Sequence, residues 1–161
     1  MLITSTKAAL AAVIAALSFG AAAQTPPPYG ESIGIDAAKK AVAAAIAESK
    51  KNNWFMAVSV VDTGGHLVYF ERQDGTQTGS TWVAVDKAKS SVAFRRPTKV
   101  FEDAVAGGGA GLRILGLSGA VPVEGGVPIV ANGKVIGAIG ASGGTAQQDG
   151  VVAGAGINAL K

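Results

Sequence analysis

The chain has 161 residues, no cysteine, a single histidine and a formal charge of +3, and 48% of its residues are hydrophobic. This is one domain's length, enough to bury a core without disulfides. Lack of cysteine excludes disulfide scaffolds, thiolate metal sites and cysteine nucleophiles, and so weak and scattered a positive charge offers no footprint for nucleic acid.

The N-terminus reads as an address rather than as fold. Residues 1–7 carry one positive charge on Lys7, residues 10–19 are an apolar run, and Ala21-Ala22-Ala23 fits a small-x-small cleavage site. The run is too short to span a bilayer as a permanent helix. A secretory signal peptide over residues 1–23 is expected, which places the mature protein in the periplasm or outside the cell. Residues 24–30, with Pro26-Pro27-Pro28, read as a short extended linker, and residues 31–161 as the folded domain.

Asp36 is placed to cap a helix running to about Lys51. Ala38, Ala41, Val42, Ala45 and Ile46 recur at helical spacing and make one narrow apolar face. A β-branched strand from Phe55 to Val61 and a second from His66 to Arg72 flank Asp62-Thr63-Gly64-Gly65, a glycine-containing hairpin loop in which Asp62 can bond its own backbone. After a polar loop, Ser80 opens a second helix whose stripe is Trp82, Val85, Ala88 and Val92, ending near Arg96 because Pro97 disfavours helix before it. Thr98 is expected to cap a short third helix over residues 99–106. Residues 112–123 are apolar and irregular, with room for one short strand.

Residues 124–144 organise the rest. Asn132-Gly133 is a strong hairpin signal, since both central residues of a type I′ turn need positive φ. The second arm, from Val135 to Ala141, is apolar or glycine on both parities, as in a strand buried on both faces at the centre of its sheet. Pro128 puts the first arm at an edge or a bulge. Thr145 and Gln148 have capping-box spacing for a last helix to about Leu160. Of 23 glycines, 16 lie between Gly107 and Gly156, so this half is tightly turned. Two hairpins require antiparallel pairing, so the class is α/β in the α+β sense: an antiparallel sheet with helices packed on it.

Several motifs match without their context. Gly140-Ala141-Ser142-Gly143-Gly144 has the pattern of a nucleophile elbow, but no histidine follows it. Gly154-Ala155-Gly156-Ile157-Asn158-Ala159 resembles a dinucleotide fingerprint, but no strand precedes it. His66 is either a polar residue opening a strand or an axial ligand or general base. The usual haem ligand types after the leader are only His66, Met56, Tyr29 and Tyr69, so a histidine holding a haem iron here must be His66. Arg72, Asp74, Lys87, Glu124 and Asp149 stand at element ends or beside glycines, as structural ion pairs or as a pocket for a carboxylate.

Val61-Asp62-Thr63-Gly64-Gly65-His66-Leu67-Val68, Arg72-Gln73-Asp74-Gly75, Lys87-Ala88, Phe94-Arg95-Arg96-Pro97-Thr98, Glu124-Gly125-Gly126-Val127-Pro128-Ile129 and Gly137-Ala138-Ile139-Gly140-Ala141-Ser142-Gly143, with Gln148-Asp149, together resemble the GlcG/HbpS family. That family includes secreted haem-binding proteins and the C-terminal domain of PduO-type corrinoid adenosyltransferases. The resemblance covers Tyr29 to Leu160. It implies a profilin-like fold of about five antiparallel strands flanked by helices, a homo-oligomer, and haem or another tetrapyrrole as ligand in some members. Gln73 departs from it, since the family often has methionine there.

The reading that results is a secreted or periplasmic haem-binding protein for sensing, scavenging or storage, with no chemistry of its own. His66 is the iron ligand in this reading, with Thr98 and Arg96 as contacts at the haem edge. The rival is a small-molecule enzyme or accessory protein acting on an organic acid, or a corrinoid-related module. There Arg72 holds a carboxylate while Glu124 or Asp149 transfers a proton.

Overall fold

The computed structural model describes residues 25–161; the expected signal peptide lies outside the described residues. Helix α1 (Ile35–Lys51) is followed by strands β1 (Ala57–Val61) and β2 (Leu67–Arg72). Helices α2 (Ser80–Phe94) and α3 (Lys99–Ala106), a 3-10 segment (Gly109–Gly116), strands β3 (Gly126–Ala131) and β4 (Lys134–Ser142), and helix α4 (Ala146–Asn158) complete the order. All strand pairs are antiparallel and the sheet order is β2-β1-β4-β3.

The Asn132-Gly133 signal is answered directly: φ is 50° at Asn132 and 72° at Gly133, and the turn joins the edge strand β3, which carries Pro128, to the central strand β4. Helices α1 and α4 cover one face of the sheet and α2 the other. Met56, Val58, Val60, Ile139 and Ala141 point to the α1/α4 side, while Val61, Val135 and Ala138 meet Ala88 and Val92 of α2. Val135 and Ile139 therefore do not share a face, as simple alternation would have it. Ile136 is an extra residue between the pairs Ile129–Gly137 and Val130–Val135, and this bulge flips the parity.

The expected face of α1 is the observed one: Ala38, Ala41, Val42, Ala45 and Ile46 are buried. Its N-cap is Gly34, and Asp36 lies in the first turn, where its charge complements the helix dipole without a capping bond. Helix α2 departs further. Trp82 is 58% exposed, and the buried residues are Ser80, Ala84, Lys87, Ala88, Ser90, Ser91 and Val92. Close approach is the reason. A Cβ on Gly140 would lie 2.0 Å from the Ala84 carbonyl oxygen, and Ser59 Oγ donates to that same oxygen at 2.9 Å. Only small side chains fit such a contact, so Trp82 turns outward, while Lys87 is buried against a partner of its own.

Thr98 stands at the N-cap of α3 but makes no side-chain cap bond. Its Oγ1 instead accepts from the Gly126 N–H at 2.9 Å, and its own N–H donates to the Gly126 carbonyl. The residue ties α3 to β3. Thr145 and Gln148 do form the expected reciprocal capping box on α4. The fifth strand is not found among the described residues. Residues 109–116 wind as 3-10 helix, and where β1 stops beside β4, Tyr29 forms a lone parallel bridge to Val135. The proline-rich linker is thus docked: Val135 N–H donates to the Pro28 carbonyl and Gly30 N–H to that of Val135, both at 2.8 Å.

Candidate functional site

The β1–β2 hairpin carries His66 on its turn. Asp62 Oδ1 accepts the backbone N–H groups of Gly64 and His66, both at 2.8 Å, so the aspartate locks the loop it begins. Its other oxygen, Oδ2, lies 3.2 Å from His66 Nδ1. The His66 backbone N–H is the main reason the Asp62 carboxyl titrates below its ordinary range, with smaller help from the imidazole and from Gly64. An ionised carboxylate can only accept, so Nδ1 carries a hydrogen in this contact, while Nε2 has no hydrogen-bond partner among the described residues. The His66 side chain is 83% exposed. Val68 is an extra residue between the pairs Val60–Tyr69 and Val61–Leu67, a bulge that twists the hairpin end bearing the imidazole.

Beside the imidazole is a shallow depression of about 380 Å³ bounded by Thr63, Gly64, Gly65, Lys89, Val92 and Ala93. Its floor is glycine and small aliphatic side chains, with one cation at the rim. Gly65, at φ 80°, allows the turn, and a Cβ on Gly64 would lie 2.8 Å from His66 Cε1 and Nδ1, so glycine there leaves the imidazole uncrowded. Among the described residues no group of three or more His, Cys, Asp or Glu could hold a metal ion. A porphyrin brings four nitrogens of its own and asks the protein for one or two axial donors. An exposed imidazole with Nε2 unengaged, beside glycines and small aliphatic residues, fits that request. The other three haem-ligand types fit less well. Met56 is fully buried, the Tyr29 hydroxyl donates to the carbonyls of Val92 and Ala93, and Tyr69 packs against the α1/α4 core.

The other candidate residues do not gather around His66. Arg96 lines a separate and larger cleft of about 740 Å³ beyond the C-terminus of α2, which shares no residue with the His66 depression. Thr98 is wholly buried and its hydroxyl is engaged by Gly126. Arg72 ends β2 on one edge of the sheet, where it lines a hollow with Lys50, Phe55, Glu71, Gln73 and Asp74. Glu124 precedes β3 on the opposite edge, three interstrand gaps and roughly 14 Å away. Arg72, Glu124 and Asp149 therefore do not converge on one pocket.

Asp149 has a different partner. Lys87 Nζ donates to Asp149 Oδ2 at 2.6 Å and to the Ala141 carbonyl at 3.3 Å, and the Gly144 N–H donates to Oδ1 at 3.0 Å. The two side chains are 1% and 4% exposed. Burial raises the Asp149 pKa, against the pull of Lys87 and of the Gly144 and Gly143 N–H groups. The pair links α2 to α4 around the end of the sheet. Gly125 closes over it: a Cβ there would lie 2.8 Å from Asp149 Cβ and 2.9 Å from Lys87 Nζ. The sequence reading set both among charges at element ends or beside glycines, as structural ion pairs or a carboxylate pocket; they form an ion pair, with Lys87 in mid-helix rather than at an element end. Glu124, half-buried, has its carboxyl pKa raised chiefly by desolvation, opposed by the positive charge of Lys99.

Gln73 also has a definite role. Its Oε1 accepts from Ser49 Oγ and from the Met56 N–H, both at 2.8 Å, joining α1, β1 and the loop after β2. Methionine could not make these bonds.

An antiparallel sheet between helical layers, with one exposed imidazole on a hairpin turn, defines a profilin-like α+β domain. The family model described as "Haem degrading protein HbpS-like" matches residues 33–158, and the chain belongs to that family. It is 37% identical to the protein GlcG of Escherichia coli strain K12 over 101 residues, which are 63% of this chain and 74% of GlcG. Among solved structures, HbpS superposes with a TM-score of 0.75 at 28% identity, over 82% of this chain and 92% of HbpS. The PduOC–haem complex gives 0.73 at 26% identity, over 81% of this chain and 96% of PduOC. Among the described residues no helix is long and apolar enough to cross a membrane.

Proposed function

We propose that this protein binds haem, with His66 Nε2 as an axial ligand to the iron and the glycine floor of the β1–β2 turn against the macrocycle. The observation that carries the proposal is the Asp62–His66 contact, because a carboxylate on Nδ1 fixes the tautomer and makes Nε2 the more basic donor. Lys89 at the rim is placed to meet a propionate. The haem complex of the related PduOC supports the choice of ligand. When bound, the haem supplies redox and oxygen chemistry. The residues of this chain supply one nitrogen, a flat face and one cation.

The role is sensing, scavenging or storage outside the cytoplasm, without turnover of the haem. A depression of about 380 Å³ covers one face of a macrocycle only, so a homo-oligomer in which a second copy covers the other face belongs to the same proposal. A haemin titration followed in the visible spectrum tests it, beside His66→Ala. A saturable Soret shift that the variant loses is the expected result, and no saturable shift would overturn the proposal. Steady bleaching of the bound haem under a mild reductant, absent in His66→Ala, would replace storage with degradation. Mass spectrometry of exported protein, expected to begin at Gln24, tests the leader.

A further inference from the structure

We infer that the cleft beyond the C-terminus of α2 is a second ligand site, for a carboxylate carried on an apolar body, and that it is independent of the His66 face. Helix α2 ends at Phe94 and is followed by Arg95 in the left-handed region, φ 51°. Arg95 lies 5.2 Å over the Tyr29 ring and donates one Nη1 hydrogen bond to the Pro27 carbonyl at 3.2 Å. Arg96 lies 5.8 Å over the Phe101 ring and donates from Nε to the Phe94 carbonyl at 3.1 Å. Each guanidinium has five N–H donors, so most of them have no protein partner.

No carboxylate among the described residues is in ion-pair contact with either arginine. Both arginines line a cleft of about 740 Å³ whose other lining residues include Val100, Val127, Pro128 and Val130 with Pro26 and Pro27. That volume lies within the roughly 300–1,000 Å³ of small-molecule sites. Val100 and Val130 are 45% and 49% exposed, so apolar surface is available beside the charge. The planar guanidinium fork suits a carboxylate, and the valine wall suits an alkyl or aryl body. Neither a free phosphate nor a neutral lipid satisfies both halves.

The test is calorimetric titration of the protein with decanoate, beside decanol and acetate. Saturable binding of decanoate at one site is expected, with decanol and acetate each weaker. Arg96→Gln, at an exposed position, is expected to weaken decanoate about tenfold, the worth of one charged hydrogen bond. Val130→Asp, on the exposed edge of β3, is expected to weaken it further by repulsion. Equal binding of decanol, no effect of either variant, or no binding of decanoate would overturn the site. Protein preloaded with haemin is expected to bind decanoate unchanged, and displacement by haemin would overturn its independence. Failure of haem binding would leave the decanoate result standing, so the two readings fail separately.

Discussion

Two contacts to an aspartate, Lys87–Asp149 and His66–Asp62, stand in opposite surroundings. The first is 2.6 Å long with side chains 1% and 4% exposed; the second is 3.2 Å long with side chains 83% and 26% exposed. In the interior, taking two charges out of water is costly, and the pair is tolerated because the Ala141 carbonyl and Gly144 N–H complete its hydrogen bonding. It joins α2 to α4, and the fold depends on both partners. At the surface the aspartate contributes little to folding and fixes which nitrogen of an imidazole carries a hydrogen. The same chemistry thus serves architecture where water is excluded and, in the function proposed above, ligand presentation where water is admitted.

Breaking the buried member should produce the largest effect. Asp149→Ala leaves an uncompensated lysine inside the protein and is expected to cost about 3–5 kcal/mol in denaturant unfolding. The double change Lys87→Met with Asp149→Leu should recover most of that loss, whereas a purely additive loss would show that the pair is not the coupling between the helices. Haemin binding at the distant turn should persist in the double variant.

Next in size is the close packing that buries Lys87. Gly140→Ala drives a Cβ against the Ala84 carbonyl and is expected to cost about 1–3 kcal/mol through overpacking. A neutral result in the same unfolding assay would mean that α2 can retreat from the sheet.

The smallest stability effect belongs to Asp62. Its carboxyl pKa is lowered from 3.8 in the folded protein, so its contribution is complete above pH 3.8 and is lost as pH falls through the lower folded value. The stability difference between the wild type and Asp62→Asn should therefore be constant near neutrality and shrink in acid. A difference that grows in acid would contradict the sign. The same variant should weaken haemin binding at pH 7, because the amide no longer requires a hydrogen on Nδ1.

How much of this was legible in the sequence follows the same division. The β3–β4 hairpin was readable because Asn132-Gly133 has one good backbone solution, and α1 because its buried residues are the apolar ones. Helix α2 was misread because contact at glycine reverses the usual order, burying Ala84 and Ser91 and expelling Trp82. Lys87 was visible as an ion-pair candidate but not as a buried one with a definite partner, since nothing local marks a lysine whose partner is 62 residues away. The role of Thr98 was misassigned for a similar reason: its bond to Gly126 competes with the cap and lies far along the chain. The bulge at Ile136 left no trace in an all-apolar strand. The loop lock by Asp62 was readable, because it bonds backbone within its own turn, but the contact of its second oxygen with His66 Nδ1 was not read. The separate cleft of Arg95 and Arg96 was not, since it forms only where the N-terminal segment docks.

The central claim is that the open end of the molecule presents His66 to a haem iron while the fold stands without it. One measurement addresses both halves: haemin titration and thermal unfolding of the wild type and His66→Ala under the same conditions. The expected result is a saturable Soret shift in the wild type, lost in the variant, with the two unfolding curves superimposed. An unchanged Soret shift in His66→Ala would contradict it, moving the iron to another ligand and leaving the Asp62–His66 contact a turn lock alone.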